Sequence, residues 1–157
     1  MGWRRFWLVL GMLWCSPITI LGGISAGLCS LLGWIDYSGW IGHAWFFVIN
    51  KERMPKFLIH AMKNDGHCMG NIILMKQLPN VSKQTQITAS HELARAEQYM
   101  RLGIIFPLAY ELCSIVNKIG CPRNDFYDNP FEIDARRAAG QIIDVSGMVK
   151  KLRLLKK

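Results

Sequence analysis

The first thing this chain lacks is charge. Between Phe6 and Ile35 no side chain is formally charged, and from Phe6 to Asn50 the only charged one is Asp36. A soluble core has no need of so long an uncharged run, whereas about 20 apolar residues cross a bilayer. Cysteine pairing is also missing. The five cysteines are an odd number without CxxC spacing, so neither a disulfide framework nor a cysteine zinc cluster can be read from them. Internal repeats and low-complexity tracts are absent, which excludes solenoid and fibrous architectures. The last absence is a single residue. His91-Glu92-Leu93-Ala94-Arg95 is an H-E-x-x-H zinc-peptidase motif without its second histidine.

The uncharged run reads as a membrane segment. All six tryptophans, Trp3, Trp7, Trp14, Trp34, Trp40 and Trp45, fall within residues 1–50, mostly at its two ends. Trp3, Trp7, Trp34 and Trp40 suit anchoring at headgroup level. The run is too long for the apolar region of a signal peptide. Arg4-Arg5 favour a cytoplasmic N-terminus, yet residues 51–157 carry 17 of the 19 basic residues, which favour the same side. One pass cannot satisfy both. A hairpin turning near Gly22-Gly23 can, so a hairpin is expected slightly ahead of one long helix.

In the motif, residues i and i+4 of a helix share a face, so a histidine at 95 would aim a second imidazole at the same Zn²⁺. Glu92 would polarise the metal-bound water and is the catalytic candidate of an active enzyme. Arginine stays cationic and cannot ligate. His91 and Arg95 lie on a stripe with Ile87, Ala94, Gln98, Tyr99 and Leu102, partly apolar and therefore partly buried. Their partners are expected in Tyr127-Asp128-Asn129-Pro130-Phe131-Glu132-Ile133-Asp134-Ala135-Arg136. There Asn129 caps a helix, Pro130 fits its first position, and Glu132 can reach back to the cap. The same segment offers a late carboxylate ligand, Glu132 first and Asp134 second.

Taken together, these segments resemble a group of small bacterial and phage-type proteins. Their shared pattern is H-E-x-x-H-V-x-Q, then R-x-G, P-x-x-Y and a closing D-N-P-F-E-x-x-A-R helix. Here it is carried by His91-Glu92, Gln98, Arg101-Leu102-Gly103, Pro107-x-x-Tyr110 and Asn129-Pro130-Phe131-Glu132-x-x-Ala135-Arg136. The resemblance covers roughly residues 60–140. It implies a zincin-like scaffold with His91 and Glu132 as metal ligands and Glu92 as catalytic glutamate, in a protein of the bacterial inner membrane or of a virion. The chain departs from the pattern at Arg95. An arginine between two carboxylates can replace zinc as the cationic centre, so an ion pair of Arg95 with Glu92, Glu132 or Asp134 is expected where the metal was. No cofactor is then expected, zinc being the alternative.

The chain so read is α+β: an apolar helix or helical hairpin, then a small zincin-like domain of short strands followed by three helices. Residues 1–50 are the membrane-associated segment, 51–144 the degenerate metallopeptidase-like domain and 145–157 a basic amphipathic tail, with 51–157 expected to be extractable without detergent. Strands are expected at 45–49 and 71–75, a short helix within 54–62, and helices at 85–101, 104–118 and 130–144. Cys121 to Asp125 is expected to be a loop, and His67-Cys68 a plain turn. In the tail Lys150, Lys151 and Arg153 sit among leucines and suit an anionic membrane surface. Without aromatic residues for stacking, the tail is not expected to read nucleic-acid sequence. Partners are therefore a lipid bilayer and other proteins of a larger assembly.

Overall fold

The computed structural model describes residues 2–62, 64–79, 81–120 and 129–141. The side chain of Trp3, the 121–125 segment, and Lys150, Lys151 and Arg153 of the tail lie outside the described residues. The architecture is α+β: helix α1 (Gly2–Leu31), strands β1 (Ile35–Ile41) and β2 (Ala44–Ile49), helix α2 (Lys56–Ala61), strands β3 (Gly66–Met69) and β4 (Ile72–Met75), then helices α3 (Lys83–Leu102), α4 (Ile105–Gly120) and α5 (Pro130–Ala138). The four strands form one sheet in the order β1-β2-β4-β3, in which only β2 and β4 are parallel.

The expected turn at Gly22-Gly23 does not form, and α1 runs through as one helix. Pro17 inside it takes away one backbone donor, and the hydroxyl of Ser16 donates to the freed carbonyl of Leu13 at 2.7 Å. The sequence boundary at residue 50 is crossed by the sheet, because β2 pairs with β4 from Trp45↔Ile72 to Val48↔Met75. The helix expected over 130–144 stops at Ala138, where Gly140 adopts φ +66° and ends it. His67-Cys68, expected as a turn, lies in β3.

Two tight hairpins, Gly42-His43 and Gly70-Asn71, each place glycine with positive φ at the first turn position, as a two-residue loop with that twist requires. Asn71 ties them to α1. Its side chain accepts from Cys15 Sγ at 2.7 Å and donates to the carbonyl of His43 at 2.7 Å, while its backbone N–H donates to Thr19 Oγ1 at 3.1 Å. The core accordingly includes Cys15 of α1 along with Phe46, Ile73, Met75, Ala96, Tyr99 and Phe106. Residues 51–157 do not stand apart from the segment before them, since α1, β1 and β2 supply part of the core and half of the sheet.

Close packing of α1 depends on small residues: a Cβ on Gly22 would come within 2.8 Å of the Met69 carbonyl oxygen, whereas one on Gly23 would meet nothing within 4 Å. Gly23→Ala is therefore expected to raise stability by about 1 kcal/mol through helix propensity, and Gly22→Ala to lower it. Thermal unfolding of both variants in detergent micelles checks the opposite signs.

Candidate functional site

The site is built where α3 meets α5. Helix α3 begins with a capping box between Ser82 and Thr85, and α5 begins with Asn129 accepting from the Phe131 N–H at 3.0 Å with Pro130 next. These caps set the phase of both helices, so that His91, Arg95 and Gln98 of α3 face Phe131 and Glu132 of α5. Gln98 donates to the Phe131 carbonyl at 2.9 Å and approaches Asp134 at 3.5 Å. From the other side the Asn129 amide donates to the Tyr110 carbonyl at 3.2 Å and to Ser114 Oγ at 2.9 Å, which brings α4 in.

Glu132 is wholly buried at the centre. Its Oε1 takes a charge-assisted hydrogen bond from the guanidinium of Arg95 and a second one, at 2.9 Å, from the Tyr110 hydroxyl. Arg95 Nη2 also reaches the Tyr110 oxygen at 3.3 Å, with its guanidinium carbon 5.3 Å from the ring centroid. Glu132 Oε2 lies 3.4 Å from His91 Nε2. That approach is not an ion pair at neutral pH, because burial, helped by the charges of Arg95 and Arg136, holds His91 below the usual imidazole value against the opposing pull of Glu92.

Of the three carboxylates open to Arg95 in the sequence, Glu132 takes it. Glu92 is buried against Gly66 of β3, and burial raises its pKa above the ordinary carboxylate value even though Arg95 and His91 pull it down. Asp134 is turned to Gln98. Two participants were passed over in the sequence. Tyr110 was visible only as part of a motif, with nothing to assign it a role. His67 is exposed on β3, and partial desolvation and the charge of Arg95 lower its pKa; the adjacent pair His67-Cys68 was its one signal.

No family model, curated protein or solved structure matches the chain. The site's chemistry therefore has to be read from its own atoms. Among the described residues no group of three His, Cys, Asp or Glu side chains is positioned to share an ion, and the carboxylate that would ligate beside His91 is engaged by a cation. What this arrangement can do is hold three helices in register through one buried, neutralised charge. Four buried atoms of the site, His91 Nδ1, Glu92 Oε2, Gln98 Oε1 and Glu132 Oε2, have no hydrogen-bond partner among the described residues.

Arg95→Ala would leave Glu132 buried without its counter-charge, and a loss of about 3–5 kcal/mol in unfolding free energy is expected. Chemical denaturation of the variant against the unaltered protein reads this. For Glu92 the folded-state pKa lies above 4.5, so the protonated form is the one that folding favours. That preference is fully present below the unfolded-state value and is lost as pH rises through the folded one. Glu92→Gln should accordingly raise the melting temperature at neutral pH, with a gain that shrinks as the pH falls toward 4.5. A gain that is constant with pH would rule out the charge as its source.

Proposed function

We propose that this chain is a membrane-anchored, non-catalytic relative of a metallopeptidase scaffold, in which an arginine salt bridge has replaced the metal, and that it serves as a structural or interaction component at a membrane or in a phage-type particle. The observation that carries this reading is the Arg95 guanidinium on the buried Glu132 carboxylate, one helical turn from His91. A cation is built into the scaffold where a zinc peptidase needs an exchangeable ion and an open coordination position. The membrane half of the reading draws on α1, whose stretch from Phe6 to Leu31 is long and apolar enough to cross a bilayer, with mean hydropathy 1.7. The large side chains on it, including Trp7, Leu13 and Leu28, point away from the protein.

The opposing reading is an active membrane-bound zinc peptidase with an atypical ligand set. It requires Arg95 to leave Glu132 and a third donor to join His91, at the cost of uncovering a buried charge. Calorimetric titration of Zn²⁺ separates the two. The unaltered protein is expected to bind zinc negligibly. Arg95→His restores an imidazole at i+4 from His91 and should bind zinc measurably more tightly, with Glu132 released as the third ligand. Stoichiometric zinc in the unaltered protein that disappears in His91→Ala would establish the enzyme reading instead. Equal, negligible binding by both proteins would mean that the scaffold is not zinc-derived.

A further inference from the structure

Helix α4 has an apolar face with no partner among the described residues. Ile105, Leu108, Leu112, Ile115, Val116 and Ile119 recur at helical spacing and are all exposed, Ile119 to 81%. The same spacing sets Glu111 and Lys118 along one edge of this stripe, while Phe106 and Tyr110 turn inward to Phe131. A water-facing helix shows the reverse pattern, and an apolar patch of this size marks an interaction surface. Helix α1 is inverted in the same way, with small residues inward at Gly11, Cys15, Gly22 and Ala26 and large apolar ones outward. Helix α1 reaches the corner between α3 and α4, a bend of 111°, where Trp14 sits against Gly103, which has no space for a Cβ of its own.

The neighbours of α1 set its orientation. Beside its first half, Arg101 and Glu97 of α3 form an exposed ion pair and line a groove with Trp7, Leu10 and Trp14. Its second half packs on β3 and β4 near Gly22, and β3 is an outer strand of the sheet, preceded by the exposed Asp65. If α1 crossed a bilayer, its middle would carry that strand edge to hydrocarbon depth, where open edges are not tolerated. A charged pair beside Trp7 and Trp14 and an outer strand near Gly22 call for one depth at both places.

Building on the membrane reading above, we propose that α1 and α4 form a single lipid-facing surface lying along the membrane rather than through it, with α4 as a second inserted element. Lipid is the occupant because the stripe on α4 starts at Ile105, two residues from the contact of Gly103 with Trp14 of α1, whose Phe6–Leu31 stretch of 26 residues is uncharged, and because the chain's net charge of +8 suits an anionic leaflet.

The test is flotation of the full-length protein with vesicles of mixed phosphatidylcholine and phosphatidylglycerol, alongside the double variant Leu112→Glu/Val116→Glu. The unaltered protein should float, and the variant should bind at least about tenfold more weakly, since two buried aliphatic side chains are lost from the lipid contact. A melting curve in detergent verifies that the variant is folded; if it is not, Ile105→Glu/Ile119→Glu takes its place at the same face. In parallel, an epitope tag at each end of the chain is tested for protease access from one side of sealed membranes, and both tags should be cut together. Equal flotation of variant and unaltered protein would remove α4 from the contact and leave the membrane reading standing. The same result with a dimer broken by the variant would assign the stripe to a second copy of the chain, also against the proposal. One tag cut and the other protected would mean that α1 crosses. Failure of the unaltered protein to float would refute the membrane reading itself.

Discussion

A carboxylate with no access to water is the constraint on which the rest of this structure depends. Glu132 is fully buried, and an ionised group in that position is tolerated only with a counter-charge and hydrogen bonds in place. Arg95 and Tyr110 supply them, one from α3 and the other from α4, so neutralising a single side chain fixes three helices relative to one another. The surrounding contacts follow from this. Asn129 caps α5 and reaches back to Tyr110 and Ser114, Gln98 holds the first turn of α5 by its carbonyl at Phe131, and the rings of Phe106 and Phe131 meet edge to face with centroids 5.3 Å apart. A zinc ion would join the same elements by ligation. A guanidinium joins them by directional hydrogen bonds, without a vacant coordination site and without Lewis acidity.

The second organising feature is an inversion of polarity. In α1 the inward face carries small or hydrogen-bonding residues and the outward face the large aliphatic and aromatic ones, while α4 turns a row of large aliphatic side chains outward and its aromatics Phe106 and Tyr110 inward. Burial of large side chains is therefore not what attaches α1. It is held by close backbone approach at Gly11, Gly22 and Gly70 and by the polar staple of Asn71 on Cys15 and Thr19. Such an attachment is directional, and an apolar anchor joined by a flexible linker would not need it. Helix α1 and the sheet consequently fold as one unit.

Much of the fold was legible from local signals. The capping residues Asn129 and Pro130 marked the start of α5, the β-branched and aromatic runs marked β2 and β4, and the three helices after the sheet followed from apolar spacing. Strands β1 and β3 were not legible. Ile35–Ile41 is mostly exposed and includes Asp36 and Gly39, and Gly66–Met69 is only four residues long, so neither shows an alternation strong enough to stand out from its flanks. The hairpin expected at Gly22-Gly23 came from counting charges. A pair of glycines reads as a turn in isolation, but Gly22 is used here for contact with Met69 and Ile72 inside a continuous helix.

By itself the sequence determined the extent of the uncharged run, the capped start of α5, and the placing of an arginine four residues after His91, because each depends only on residues within a turn or two of one another. Tertiary structure alone decided which carboxylate Arg95 would take. Glu92, three residues away on the same helix, is the nearer choice along the chain, and Glu132 is 37 residues distant. Packing reversed that order by burying Glu92 against Gly66 and presenting Glu132 at the tip of the guanidinium. Ion pairing follows distance and burial in space, and neither can be read from separation along the chain.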